Sequence, residues 1–457
     1  MKLMGKRAGI LFILCVLFAV GMIFLLFTYI KDAPKWAAAP FNQHLYRSGE
    51  LVRAGQILDA NGKVLVSTIE NERVYNSDES TRAALMHLVG DPKRGVATSL
   101  QVTYRNKLVG WNYLNGIYHF GGGIGNNIQT TVDADLARAT YAALGGRRGT
   151  ACVMNYKTGD LLCMVSSPSF DPANVPDIEG DPEKYDGVYI NRLLSASYTP
   201  GSIFKLVTAA AAIDNLPGVQ SREFVCEGSY DLLGQEITCP SVHGRQNFAE
   251  TMANSCNIAY ARMASELGPE TMTAYAGKAG VMSGQDLDGI GVANGHFSLT
   301  GAAPGDVGWA GVGQYDTLIN PLSYLEFVAA IANGGSAVTP HIIDSIKTPN
   351  GFPARFAIDL PIHENVLSGS TAGTLRQIMR AAVVNNYGEG NLAGYGLSAK
   401  SGTAEVADGK EPHSWFCGFL DDETAPLAFI VIVENGGAGK DAAANVARTV
   451  LEAAVGK

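Results

Sequence analysis

The chain is expected to fold as an α+β protein: an antiparallel sheet covered by helices, preceded by a transmembrane helix and a small N-terminal domain. Three observations carry this expectation. Residues 8–30 form an uncharged, mostly apolar run, which suits a bilayer span of about 20 residues. Residues 150–154 (TACVM) and 161–165 (LLCMV) are apolar runs joined by the polar turn segment 155–160, a hairpin signal. Residues 396–406, 414–420 and 427–433 read as three more strands near the C-terminus. Strands at both ends of a segment with helices between them favour one antiparallel sheet with helical cover.

The elements follow in order. Lys2, Lys6 and Arg7 precede the apolar run, and Lys31 and Lys35 follow it. An uncleaved anchor with a cytoplasmic N-terminus and an extracellular bulk is expected. A cleaved signal peptide ending near Ala37-Ala38-Ala39 is the competing reading, but the run exceeds the usual apolar core of about 7–15 residues. Residues 56–66 read as two short strands around Asn61-Gly62, a tight hairpin turn. The stretch Gly121-Gly122-Gly123 is a flexible break, and residues 133–144 read as a helix capped by Asp133, because a short acidic side chain can accept from the unpaired first-turn N–H groups. Residues 202–213 are apolar and Ala-rich, residues 247–267 and 321–333 are helical in pattern, and residues 441–455 close the chain as a helix. Three parts result: tail and anchor 1–31, N-terminal domain 32–146, and a larger C-terminal domain 147–457.

Composition narrows the function classes. The 457 residues carry a net charge of −9, 17% charged and 47% hydrophobic residues. Low charge fits a large buried core plus a membrane segment. No basic cluster follows the N-terminal region, so nucleic acid is not an expected partner. No spacing of the seven cysteines and eight histidines resembles a zinc motif, so no metal or cofactor is expected. Cys152 and Cys163 sit on the two arms of the expected hairpin and read as buried core. Cys226 and Cys239 flank a short loop. They form either a disulfide, given an oxidising compartment, or two free thiols, and both readings stand.

Three short motifs carry the chemistry. In Ser202-Ile203-Phe204-Lys205 the i, i+3 spacing sets Ser and Lys side by side on one helical face. Pro200-Gly201 before it places Ser202 in a first turn, where unpaired N–H groups favour developing negative charge. A serine hydroxyl needs a base to become a nucleophile, and a buried lysine loses enough basicity to be one. Alone, this pattern arises about once by chance in a chain of this length. The second motif, Ser255-Cys256-Asn257, offers a hydroxyl to relay a proton and an amide to hold Lys205 and a substrate amide; in isolation it reads more often as a turn. In the third, Lys400-Ser401-Gly402-Thr403, a lysine and two hydroxyls can hold a carboxylate, and Gly402 allows close approach to a strand. The alternative is an exposed polar turn, which the neighbouring apolar residues and Trp415-Phe416 disfavour.

Together the motifs match the Ser-x-x-Lys, Ser-x-Asn and Lys-Ser/Thr-Gly set of serine acyltransferases. The sequence resembles the class B penicillin-binding proteins, monofunctional D,D-transpeptidases, and its short N-terminal region is closest to their PbpA-like branch. The resemblance covers nearly the whole chain: residues 53–62 (RAGQILDANG), Thr158-Gly159, 166–172 (SSPSFDP), 198–205 (YTPGSIFK), His243-Gly244, 311–314 (GVGQ), Asn320-Pro321 and 414–418 (SWFCG). Where the family often reads Thr-Gly-Leu-Glu, this chain has Thr98-Ser99-Leu100-Gln101.

The resemblance implies the transpeptidase fold with its helical subdomain, and a peptidoglycan cross-linking activity through a Ser202 acyl-enzyme. Lys205 is then the base, Ser255 the relay to the departing D-Ala amine, and Asn257 the orienting amide. Lys400, Ser401, Gly402 and Thr403 form the carboxylate-binding strand, and the backbone N–H groups of Ser202 and Thr403 form the oxyanion hole. Expected partners are stem peptides, β-lactams that mimic D-Ala-D-Ala, the membrane through residues 8–30, and a membrane-embedded glycan polymerase. The alternative is a β-lactamase or β-lactam sensor with the same acylating serine; the class A lactamase triplet is Ser-Asp-Asn, whereas this chain has Ser-Cys-Asn. His243 is read as a structural turn residue, with a triad base as the lesser reading. Glu405 reads as a solvated charge and Trp415 as packing beneath the site.

Overall fold

The computed structural model describes residues 2–37, 39, 41–42, 44–47, 50–51, 53–113, 116, 125–354, 363–406 and 409–456. The Gly121–Gly123 stretch lies outside the described residues. A 36-residue helix, Lys2–Ala37, opens the chain. Its 31-residue stretch Arg7–Ala37 is long and apolar enough to cross a membrane, and its most apolar window is not buried against the rest of the protein. At about 1.5 Å per residue it exceeds a hydrocarbon core of ~30 Å.

The central sheet has five strands in the order Leu397–Ala404, His413–Leu420, Leu427–Val433, Gly149–Asn155, Leu161–Ser167, each pair antiparallel. These are the five strands expected from the apolar runs, within one or two residues at their ends. The middle strand, LAFIVIV, is buried at all seven positions, as an uninterrupted apolar run must be when helices cover both faces. Pro321–Ala332 and Gly369–Ala382 pack together as one layer, and Ala134–Leu144 and Ala442–Val455 as the other. Asp133 caps its helix as expected, accepting from Asp135 and Leu136 N–H. Asn320 caps Pro321–Ala332 and also donates to Leu193 and Ala196 carbonyls. That single amide ties a helix start to the segment leading into Tyr198-Thr199-Pro200.

A second five-stranded sheet lies toward the N-terminus, ordered Ile343–Lys347, Asn127–Thr130, Ile57–Leu58, Val64–Ile69, Glu72–Tyr75. The Asn-Gly hairpin expected over 56–66 is its centre. Ile343–Lys347 comes from the far half of the sequence, and Ala134–Leu144 packs on the C-terminal helix. The two sheets are therefore interleaved in sequence around residue 146. Gln101, the departure noted above, is buried and accepts from the Arg73 guanidinium at 3.0 Å.

The segment expected to be helical over 247–267 holds Phe248–Ala253 and the first part of Asn257–Lys278, which kinks at Gly268. A capping box between Asn247 and Glu250 starts the first. Ser255, at φ +52°, interrupts the helical path before the second. The backbone of Ser255, in a conformation uncommon for a residue with a side chain, and of Cys256, which is extended, separates them, and hydrophobic pattern does not report it. Helices Lys205–Asn215, Asn257–Lys278 and Pro304–Val312 pack against one another beside the sheet, forming the helical subdomain.

Candidate active site

Ser202 sits in a 3-10 turn, Gly201–Phe204, from which the α-helix Lys205–Asn215 continues. In a 3-10 turn side chains three apart eclipse, so Lys205 Nζ comes within 3.0 Å of Ser202 Oγ. Gly201 adopts φ +54°, and a Cβ there would lie 2.5 Å from Thr403 O. Glycine thus lets the turn lie directly against the Leu397–Ala404 strand. Trp415, fully buried, donates its indole N–H to Thr199 O at 3.0 Å, and Tyr324 donates to Ile203 O at 2.7 Å. These bonds fix the turn from below.

Lys205 is fully buried. Its Nζ lies 2.6 Å from Ser255 O, 2.8 Å from Asn257 Oδ1 and 3.2 Å from Ser255 Oγ. The carbonyl and amide oxygens are acceptors only. A neutral amine has two N–H groups for them and one lone pair left, which meets the Ser202 hydroxyl. Burial, and then the neighbouring Lys400 charge, holds Lys205 well below the usual lysine range, toward that neutral state.

Lys400 is also fully buried and enters from the opposite wall. Its Nζ donates to Ser255 Oγ at 2.9 Å and to Ser401 O at 2.8 Å. Burial brings it down to about 7, against a small opposing effect of the Cys417 thiol. Ser255 Oγ is thus shared by two lysines, a position from which a hydroxyl can pass a proton. Tyr387, which the sequence pattern did not single out, donors and accepts around the same wall: its OH lies 2.9 Å from Ser401 Oγ and 3.4 Å from Lys400 Nζ. It follows Gly369–Ala382 in a π-turn, Val383–Tyr387, and no motif marks it.

Ser202, Ser255, Asn257, Ser401 and Thr403 line one solvent-open groove of about 640 Å³. Thr403 Oγ1 accepts from Gly439 N–H at 3.2 Å, so its own hydrogen can still be given to a ligand oxygen. Gly402 pairs with Trp415 across the sheet, and a Cβ on it would come 2.9 Å from Pro200 O. Glu405 and His243 line the groove as well. His243 Nδ1 lies 3.5 Å from Cys239 Sγ, and the base beside Ser202 is Lys205. All seven cysteines are free thiols, Cys226 and Cys239 included. The spacing along the chain gave no metal motif, yet folding gathers Cys226, Cys239, His243 and Cys256 with their ligand atoms all within 4.8 Å of one another.

The arrangement joins a hydroxyl with an amine poised to take its proton, a second hydroxyl between two amines, and a strand edge bearing one cation and two hydroxyls. That set suits acyl transfer from a substrate with a terminal carboxylate. The penicillin binding protein transpeptidase domain model matches residues 149–452. Peptidoglycan D,D-transpeptidase PbpA of Mycolicibacterium smegmatis is 28% identical over 363 residues, covering 72% of this chain and 73% of that protein. The PbpA transpeptidase of Mycobacterium tuberculosis is 27% identical over 370 residues, with the same coverage of 72% and 73%. Among solved structures, penicillin-binding protein A from M. tuberculosis as a penicillin G acyl-enzyme complex superposes with a TM-score of 0.75 at 24% identity, over 88% of this chain and 99% of that one. A domain match over two thirds of the sequence, on a site of this geometry, has one meaning: the chain belongs to the penicillin-binding protein transpeptidase family.

Proposed function

We infer that this protein is a class B peptidoglycan D,D-transpeptidase that cross-links stem peptides through an acyl-enzyme on Ser202. The observation that carries the reading is the 3.0 Å approach of the buried Lys205 amine to Ser202 Oγ. Lys205 takes the hydroxyl proton as Oγ attacks the carbonyl of the penultimate D-Ala. Backbone N–H groups of Ser202 and Thr403 receive the developing oxyanion, usually the largest single contribution to rate. The C–N bond breaks, and the proton returns through Ser255 Oγ to the departing D-Ala amine. Asn257 orients the donor peptide, while Lys400, Ser401 and Thr403 hold its carboxylate. An acceptor amine then attacks the ester, loses its proton along the same path and regenerates the serine. A β-lactam enters the first half of this sequence, its ring amide opening in place of the peptide bond.

The discriminating experiment is incubation with a chromogenic cephalosporin. A slowly released adduct, one per chain, is expected; rapid catalytic turnover would overturn the reading in favour of a β-lactamase. Exchange of the terminal D-Ala of a synthetic stem peptide for a labelled D-amino acid tests transfer itself.

The three-part division at 31/32 and 146/147 belongs to this reading, supported by a family match that starts at residue 149. So does the topology, with the N-terminus cytoplasmic and residues 32–457 outside, supported by the apolar helix and its leading basic residues. A membrane-embedded glycan polymerase is the proposed partner of the anchor and the N-terminal sheet. Co-isolation of such a polymerase from native membranes, lost on exchanging the anchor for an unrelated span, is the result this partner requires.

A further inference from the structure

We propose that Cys226, Cys239, His243 and Cys256 form a zinc site whose purpose is to fix the Ser255–Asn257 loop beside Lys205. Three strands of argument support it.

The first is geometry. The four ligand atoms lie within 4.8 Å of one another. A tetrahedral zinc with Zn–S of about 2.3 Å and Zn–N of about 2.0 Å sets ligand atoms roughly 3.5–3.8 Å apart along the edges. Cys239 Sγ and His243 Nδ1 already stand at 3.5 Å. Closing the rest needs side-chain movements of under about 1 Å on the same measure.

The second is how the fold builds the cluster. Strand Glu223–Cys226 pairs with Gly244–Asn247, setting Cys226 opposite Gly244 and so beside His243. The hairpin Ser229–Leu232 and Gln235–Thr238 lies between them, and Cys239 N–H closes it on Gly228 O at 2.8 Å. Cys256 comes from the junction of the two helices, at the N-cap of Asn257–Lys278. Asn257 N–H donates to Cys239 Sγ at 3.4 Å, the kind of amide–sulfur bond that supports a metal thiolate from outside the coordination sphere. Cys226 and Cys256 are buried while Cys239 and His243 are half-exposed, which leaves a path for the ion.

The third is chemistry. Three thiolates and an imidazole are a soft donor set suited to zinc. Four protein ligands leave no open position, so the ion holds structure and takes no part in the reaction. Binding releases three thiol protons, including the one Cys226 shares with Ser241 O at 3.6 Å. Cys256 lies between Ser255 and Asn257, both of which contact Lys205. Anchoring its sulfur restrains both neighbours at once, and the uncommon φ of +52° at Ser255 needs such restraint. The rival use of the same atoms is a disulfide, which takes two sulfurs and leaves a thiol and the imidazole over.

The test uses the full chain in detergent, purified without chelator or added metal. Zinc is measured by plasma mass spectrometry, and thiols by alkylation under denaturing, non-reducing conditions. One zinc per chain with every cysteine alkylated is expected, and Cys226→Ser and His243→Ala should each lose the metal. Cobalt in its place should give the intense visible bands of a tetrahedral thiolate site. Stripping zinc from the wild-type chain should slow acylation by a fluorescent penicillin at least tenfold, with far-UV circular dichroism unchanged and zinc restoring the rate. A disulfide within the cluster, or metal-free thiols throughout, would overturn the site. Tightly bound zinc whose removal leaves acylation unchanged would overturn its positioning role. That second half rests on the acyl-enzyme reading; a zinc-loaded chain that never acylates would sink that reading while leaving the metal content standing. Should the variants fail to fold, chelation of the wild-type chain decides.

Discussion

At the residue scale the two buried lysines divide the work by charge. Lys205, lowered by burial and by Lys400, serves as the neutral base; Lys400, brought to about 7, is the cation that meets a carboxylate. Protonation removes the first function at acid pH, and deprotonation removes the second as pH rises through about 7. The second-order acylation rate of a carboxylate-bearing β-lactam is therefore expected to be bell-shaped, since that rate reports the free enzyme's ionisations. Stopped-flow acylation from about pH 5 to about pH 9, a window centred on the Lys400 value of about 7, checks it; a rate flat across the window contradicts the division of roles. Lys205→Met should lower the rate by about 10²–10⁴, the usual contribution of a positioned base, while thermal unfolding stays cooperative. The three lysine and serine motifs were legible in the sequence because their chemistry depends on fixed short spacings. Tyr387 was not, because it reaches Ser401 across a turn that no spacing encodes. The Cys/His cluster was hidden for the same reason: its members come from two strand ends, a loop and a helix cap.

Among elements, the contact between the Gly201–Phe204 turn and the Leu397–Ala404 strand decides whether the groove exists. Gly201 and Gly402 face Thr403 O and Pro200 O, with no room for a Cβ. Gly402→Ala should push turn and strand apart by a few tenths of an ångström, so penicillin labelling should fall more than stability does. Gly201→Ala adds a positive φ, which costs a residue with a side chain roughly 1–2 kcal/mol, so both labelling and melting temperature should fall. Labelling at the wild-type rate in both variants would show that the close approach is dispensable. The central strands were read correctly because runs such as LAFIVIV are continuous and flanked by turn residues. The break within 247–267 was not read, since hydrophobic pattern does not report the two residues, Ser255 and Cys256, whose backbone leaves the helical region. Strand Ile343–Lys347 was missed because its partner, Asn127–Thr130, lies more than two hundred residues earlier.

For the whole molecule, the N-terminal segment is held to the catalytic body by strand pairing, helix packing and polar contacts, two of which respond to pH. Arg82 pairs with Asp171 at 2.6 and 2.7 Å, and fully buried His87 bonds Val188 O at 2.8 Å. The Arg82 guanidinium holds Asp171 down to about 2, so its contribution is present above the normal carboxylate range and is lost only as pH falls toward 2. His87 behaves differently. Burial brings it down to about 4, so the folded state keeps it neutral while the unfolded chain takes a proton below its ordinary value. Stability is then full above about 6.5 and declines as pH falls toward 4, by on the order of 3 kcal/mol. Urea unfolding at pH 7 and pH 5 should show about 2 kcal/mol of this loss in the wild-type chain and a smaller one in His87→Gln. Arg82→Ala removes a part-buried ion pair while Asp171 keeps its bonds from Ala173 N–H and Asn174, so urea unfolding at pH 7 should show a loss of about 1–2 kcal/mol.

The central claim is that Ser202, activated by Lys205, is the residue that carries the acyl group. The direct measurement is to label the full chain with penicillin G, digest it, and map the adduct by tandem mass spectrometry beside a Ser202→Ala variant. One adduct on the peptide bearing Ser202, absent from the folded variant, is the predicted result. An adduct on any other residue, or labelling that persists without the Ser202 hydroxyl, contradicts it.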